Sequence, residues 1–215
     1  MGSSGLRPRW WLAGSLVAVL AITAFGVWLH LTDGAPTAVD TAWNGFARTT
    51  PGSPAFALAL GLAYMGGTLG VTMCAAIAVV VLLLRQRGGD AIAVALAALI
   101  GVASSELVKL LVARPRPPDA LVHPSGFSYP SGHSMGAAVL AVSLVLVILA
   151  SDHASRRAAR WAMLCATIWV LAMMWSRTAL GVHWLTDTIA GALLGAVAAI
   201  VARALRRTPR PAAAR

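Results

Sequence analysis

The stretch 128-SYPSGHSMGAAVLAVSLVLVILA-150 begins polar and turns apolar within a few residues. From Ser131 to Ala150 it is long enough to cross a hydrocarbon core as a helix, which takes about 20 residues. The apolar part therefore reads as a membrane span. Two readings remain for its polar head: a turn between apolar helices, or the chemically active mouth of the protein.

The rest of the chain agrees with a membrane reading. Its 215 residues are 59% hydrophobic and only 11% charged, with a mean hydropathy of +0.78. A soluble domain is about half apolar and a quarter charged. The net charge is +10, from 17 Lys and Arg against 7 Asp and Glu. In a soluble chain such an excess suggests nucleic acid. Here the basic residues mostly flank apolar runs, where topology and anionic headgroups account for them. No nucleic-acid motif is present, so no nucleic-acid partner is expected.

Six spans are expected, at about 10–31, 69–84, 91–112, 131–150, 161–175 and 184–204, within a single all-α membrane domain over 1–207. The first reads as an uncleaved anchor, because "APTA" at 35–38 is a poor cleavage site. Asp40 is placed to cap a short interfacial helix, and Asp90 to cap the third span. Residues 54–65 form an apolar segment cut off by Gly66 and Gly67, expected to lie at or enter the outer surface. The Ala/Arg/Pro-rich tail, 208–215, reads as disordered. Cys74 and Cys165 fall inside apolar segments and read as small buried hydrophobes.

An even number of spans puts both ends on one side. Twelve of the basic residues then share that side: Arg7, Arg9, Arg85, Arg87, Arg156, Arg157, Arg160, Arg203, Arg206, Arg207, Arg210 and Arg215. Five fall on the other: Arg48, Lys109, Arg114, Arg116 and Arg177. The positive-inside rule makes the first side cytoplasmic. Trp10, Trp11 and Trp161 then belong to the inner interface, and Trp28, Trp175 and Trp184 to the outer one.

On this topology three polar segments meet at the outer face: 109-KLLVARPRP-117, 128-SYPSGHS-134 and 176-SRTALGVHWLTD-187. Each of their residues has a plain alternative. Lys109 is either a snorkelling side chain or an anion ligand. Arg114 and Arg116 are either headgroup contacts or site residues. His133 and the "SGH" run are either a helix cap or chemistry. His183 and Asp187 are harder to dismiss. Four residues apart at a helix start, they share a face, and an acid inside an apolar run is costly and usually functional.

Several fixed cations without an acid cluster suit a polyanion, and Arg forks suit phosphate. Span four adds the backbone N–H groups of Ser131, Gly132 and His133 at the positive end of a helix dipole. Two histidines beside a phosphate can divide the work, one attacking phosphorus and the other protonating the departing oxygen. No acidic cage for a divalent cation is apparent, so no metal or other cofactor is expected.

The residues Lys109 with Arg116–Pro117, Pro130–Ser131–Gly132–His133, and Ser176–Arg177 with His183 and Asp187 meet three spaced motifs in order. This resembles the type 2 phosphatidic acid phosphatase (PAP2) superfamily of membrane lipid phosphatases, over roughly residues 90–200. The resemblance implies a six-helix phosphatase core with its site at the extracytoplasmic interface. It implies that His183 is the nucleophile, Asp187 its orienting acid and His133 the general acid. Lys109, Arg116, Ser131, Gly132 and Arg177 would bind phosphate. Arg114, at no motif position, and Ser176 are expected to support the site. Glu106 lies three residues before Lys109 on a nearby helix face and is expected either to pair with Lys109 and aim it or to make a simple interhelical hydrogen bond. His123 reads as an exposed loop residue.

The expected function is metal-independent hydrolysis of a lipid phosphate or pyrophosphate, of the undecaprenyl pyrophosphate, phosphatidic acid or phosphatidylglycerol phosphate class. The setting would be the outer face of a bacterial inner membrane. A phosphotransferase with the same site and a sugar or lipid acceptor is the alternative. A lipid-binding protein without chemistry would not need the His183–Asp187 pair. A channel or transporter would carry its polar residues near the midplane.

Overall fold

The computed structural model describes residues 8–151 and 154–206. The tail expected to be disordered lies outside the described residues. Eight helices follow in order: α1 Pro8–Leu31, α2 Ala38–Ala47, α3 Pro54–Met65, α4 Thr68–Leu84, α5 Gly88–Val112, α6 Gly132–Leu149, α7 Arg156–Ala179 and α8 Leu185–Leu205. No strand occurs among the described residues. Five helices are long and apolar enough to cross a membrane, and α3 with α4 makes a sixth candidate bent by 51°. The protein is an all-helical integral membrane bundle.

Helix α8 is the centre of the packing, against α6, α5 and α1, while α7 packs chiefly against α6 and α3. Two glycines allow the closest approach. A Cβ on Gly191 would collide with the Ser131 carbonyl oxygen, and one on Gly195 with the Met135 carbonyl oxygen. Small residues let membrane helices approach backbone to backbone, where dispersion replaces the hydrophobic effect as the driving force. Ala97, Met135, Val139, Ala198 and Ala202 fill the contact between α5, α6 and α8.

The α3–α4 break follows from Gly66 and Gly67. A side chain at Gly66 would overlap Met173 of α7, and one at Gly67 would press on the Ala63 carbonyl oxygen, 3.2 Å away. Gly67 also sits against His133, with Nε2 3.7 Å from the ideal Cβ position. The break thus brings backbone, unobstructed by side chains, over the head of α6.

Several local expectations are corrected. The cap of α2 is Thr37, with Asp40 as its reciprocal partner: the Asp40 N–H donates to Thr37 Oγ1 and the Thr37 N–H donates to Asp40 Oδ2, each 3.1 Å. Asp90 does not cap α5. It lies in the first turn and pairs with Arg87, 2.5 Å away, and with Arg203 of α8. Cys74 and Cys165 are exposed on the outside of the bundle. A span is apolar on its lipid face as well as its core face, so lying in an apolar run did not make them internal. Trp184 is only 9% exposed, because its ring packs under the Arg114 guanidinium, 5.6 Å from the centroid.

Candidate active site

A cavity of about 500 Å³ opens between the α3–α4 break, α5, the head of α6 and the end of α7. Lys109, Arg116, Gly132, His133, Arg177 and His183 all line it. Residues up to 74 positions apart in sequence are therefore brought together. Glu106 and His123 line it too, as do Val71, Val102 and Met135 deeper among the helices. The wall is thus polar above and apolar below.

His183 sits in the short turn between α7 and α8 and is 3% exposed. Its Nδ1 donates to the Ser128 carbonyl at 2.8 Å. The other ring nitrogen, Nε2, is 3.1 Å from Arg116 Nη1. Arginine can only donate, so Nε2 carries a lone pair, assigned here from the bonding network. Burial depresses the His183 pKa to about 4; Arg116 and Arg177 push the same way and Asp187 opposes them. The ring is neutral near pH 7, and its Nε2 lone pair, which accepts from Arg116, lies on the cavity side.

Asp187 is fully buried in the first turn of α8. Its Oδ2 accepts from Ser128 Oγ at 2.5 Å and from the Trp184 N–H at 2.8 Å. Its Oδ1 is paired with Arg114 Nη1 at 2.6 Å. The distance from Oδ2 to His183 Nδ1 is 3.7 Å, beyond a hydrogen bond. Asp187 thus acts on the ring by its charge and by fixing Ser128, while the backbone of Ser128 sets the tautomer. Ser128 was not singled out from the sequence. Its position just before the Pro-Ser-Gly-His run was the available signal.

The cations differ in what they leave free. Arg116 commits its guanidinium to Gly126 O, Val182 O, Ser125 O, Phe127 O and His183 Nε2, which occupies all the donors an arginine has. It clasps the 125–127 loop and presents charge at Nε2. Lys109 is held by Glu106 Oε1 at 2.6 Å, with Nζ 3.4 Å from where a Gly132 Cβ would stand. Arg177 is 6% exposed, its Nε has no partner, and no ion pair reaches it among the described residues.

The head of α6 has no side-chain cap. The Ser131 N–H is spent on the Asp187 carbonyl, 3.0 Å away, leaving those of Gly132 and His133 for the cavity. Ser131 is fully buried, receives a hydrogen bond from Ser134 at 3.3 Å, and is not part of the cavity wall. Two further residues stand away from that wall. Ser176 donates to the Ala59 carbonyl at 2.6 Å, tying α7 to α3. Arg114 is fully buried and bonds Asp187, Asp40 and Thr186, so it is no headgroup contact. Its burial follows from having two acids to neutralise it.

Fold and site together define a membrane-embedded helical bundle with three histidines and three cations around one cavity. Residues 90–210 match the family model of the PAP2 superfamily, and the chain belongs to that superfamily. It is 33% identical over 103 residues to an undecaprenyl-diphosphatase of Sulfolobus acidocaldarius, covering 45% of each chain. It is 39% identical over 93 residues to phosphatidylglycerophosphatase B of Bacillus subtilis, covering 42% of this chain and 45% of that one. The matches thus span less than half the length of these curated relatives.

Among solved structures, a transmembrane PAP2-type phosphatidylglycerolphosphate phosphatase from Bacillus subtilis superposes with a TM-score of 0.74 at 23% identity. That match covers 86% of this chain and 94% of that one. LpxE of Aquifex aeolicus gives 0.61 at 19% identity, over 77% and 95%. Both share the fold.

Proposed function

We propose that this protein is a membrane lipid phosphatase that hydrolyses a lipid phosphate or pyrophosphate through a phosphohistidine. The observation that carries the reading is Arg177. A buried guanidinium without a counter-charge is costly, and this one faces the same cavity as the His183 lone pair. A phosphate group bound there supplies the missing anion and stands before a nucleophile.

The step then follows. Phosphate is held by Arg177, Lys109 and the free N–H groups heading α6, beside the Arg116 charge. Arg116 Nη1 turns from Nε2 to a phosphate oxygen, His183 Nε2 attacks phosphorus as the bond to the leaving oxygen breaks, and His133, in its protonated form, gives that oxygen its proton. The phosphorylated ring is cationic with Nδ1–H still on the Ser128 carbonyl, and Asp187 offsets its charge. Water, deprotonated by His133, then attacks phosphorus, releasing phosphate and restoring His183. The cations meet the developing charge, so the step as drawn needs no metal.

The likeness to an undecaprenyl-diphosphatase and to a phosphatidylglycerophosphatase supports undecaprenyl pyrophosphate and phosphatidylglycerol phosphate as candidate substrates, and phosphatidic acid presents a similar phosphate headgroup. The distribution of basic residues supports an inner-membrane protein with cytoplasmic termini and an outward-facing site. Purified protein in detergent is expected to release phosphate from these lipids with EDTA present, and His183→Ala to abolish release while keeping the wild-type melting temperature. Full turnover by that variant overturns the reading.

A further inference from the structure

Asp40 lies on α2, outside every motif that marks the site, yet it is fully buried. Its Oδ2 is 2.9 Å from Arg114 Nη2 and its Oδ1 accepts the Thr186 N–H at 2.9 Å. Thr186 Oγ1 bridges the group, donating to Asp40 Oδ2 at 2.9 Å and accepting from Arg114 Nη1 at 2.8 Å. The same Arg114 Nη1 reaches Asp187 at 2.6 Å. Arg114 is thus shared between two carboxylates, one of which is the acid next to His183.

Charge decides what this sharing does. Arg114 and Asp187 alone form a neutral pair, and a neutral pair does little to stabilise a cationic imidazole. With Asp40 on the other side of the guanidinium the three-membered chain carries one net negative charge. The low dielectric of the interior lets that charge act beyond its immediate neighbours. We propose that Asp40 is a positioning residue that keeps Asp187 electrostatically effective toward His183, by taking up the charge of Arg114 and fixing its fork. The mechanistic consequence rests on His183 being the nucleophile.

Asp40 is itself held ionised. Burial alone would raise its carboxyl, but the Thr186 N–H, Arg114 and the Thr37 N–H together hold it below the ordinary value. The other charged or titratable groups facing His183 are Arg116 from the loop after α5, His133 from α6, Arg177 from α7 and Asp187 from α8. None of them reaches Asp40 except Asp187 through Arg114.

The test combines three variants, D40N, R114Q and the double variant, with two measurements. One is the titration of His183 by NMR of imidazole-labelled protein, assigned with His183→Gln. The other is kcat against KM for lipid phosphate hydrolysis. D40N removes a negative charge and is expected to lower the His183 titration by about half a unit or more, with kcat down about tenfold and KM within about twofold. R114Q leaves two acids and is expected to raise the titration. The double variant restores the net charge and is expected to return it close to wild type.

A purely structural role predicts instead that the double variant is the worst of the three and that the titration stays put. An unchanged His183 titration in the folded variants overturns the inference. If D40N fails to fold, R114Q and the charge-balanced double variant still decide it. Failure of the phosphatase reading is separate: it shows as turnover surviving in His183→Gln, or as absent turnover in wild type, and the NMR titration reads the charge effect regardless.

Discussion

His183 Nδ1 lies 2.8 Å from the carbonyl oxygen of Ser128 and 3.7 Å from the nearer Asp187 oxygen. The tautomer of the proposed nucleophile is therefore fixed by backbone from the loop before α6, and the acid four residues along the chain works through an intermediary. Ser128 Oγ, 2.5 Å from Asp187 Oδ2, joins the two. It holds the carboxylate, while its own carbonyl holds the ring.

Ser128→Ala keeps the carbonyl and removes the hydroxyl. Asp187 then loses one of its short bonds, worth about 1.5–3 kcal/mol for a charged acceptor. The expected result is a kcat about tenfold lower with KM close to wild type, because no phosphate ligand is touched. Steady-state phosphate release from a detergent-solubilised lipid phosphate measures it. An equal loss in KM would mean that Ser128 contacts substrate.

The pH dependence follows from the His183 environment. With the pKa depressed by burial to about 4, the ring stays unprotonated until the pH falls well below the ordinary histidine value of 6.5. Protonation consumes the Nε2 lone pair, so the acid limb that His183 imposes on kcat/KM is expected only as the pH approaches 4, while a change above that belongs to His133, which must carry a proton to act as the acid. An acid limb centred near 6.5 would mean that the free enzyme exposes this ring to water.

Glu106 and Lys109 form an ion pair at the cavity edge, with the Glu106 side chain 60% exposed. Such exposed pairs contribute about 0–1 kcal/mol. Glu106→Gln is therefore expected to raise KM for the lipid phosphate by no more than about fivefold through a less well aimed Lys109, with folding unaffected. Unchanged KM and kcat would remove Glu106 from the site.

How much of this was legible beforehand depends on distance along the chain. The spans, the cation set and the two histidines are local patterns, and the bundle brings them to one cavity. The Asp40–Arg114 pair spans 74 positions and has no periodicity or spacing to betray it; from sequence Asp40 reads only as a cap. Arg114 looked like Arg116, two residues on, and only packing separates the buried partner of two acids from the cavity-lining clasp. Ser131 looked like a phosphate ligand because a helix start frees its N–H groups, but Asp187 folds back and takes that one. The outward-facing cysteines show the remaining blind spot: in lipid, hydropathy marks both faces of a span alike.

The packing of α8 against α6 makes a stability prediction. Gly195→Ala places a methyl group 2.9 Å from Ala138 Cβ and Val139 N and onto the Met135 carbonyl. Overpacking of this kind costs about 1–3 kcal/mol. The expected effect is a melting temperature in detergent lower by several degrees, and Gly191→Ala should add loss of activity because it displaces Ser131 at the head of α6. Wild-type stability in Gly195→Ala would mean that the two helices separate easily.

Arg177 sets stability against function. Its guanidinium is buried with Nε unpaired, so without ligand it is a destabilising charge. Arg177→Met removes that charge while keeping apolar bulk, and the ligand-free protein is expected to melt at or above the wild-type temperature. A ligand that binds only the folded state raises the melting temperature by mass action. Inorganic phosphate or vanadate at saturating concentration is therefore expected to raise the melting temperature of wild type by several degrees and to leave that of Arg177→Met unmoved. Turnover should fall at least about a hundredfold, as expected when a preorganised donor to a transferring phosphoryl group is lost. A variant that melts lower than wild type and still responds to phosphate would make Arg177 a structural cation and transfer anion binding to Lys109 and the head of α6.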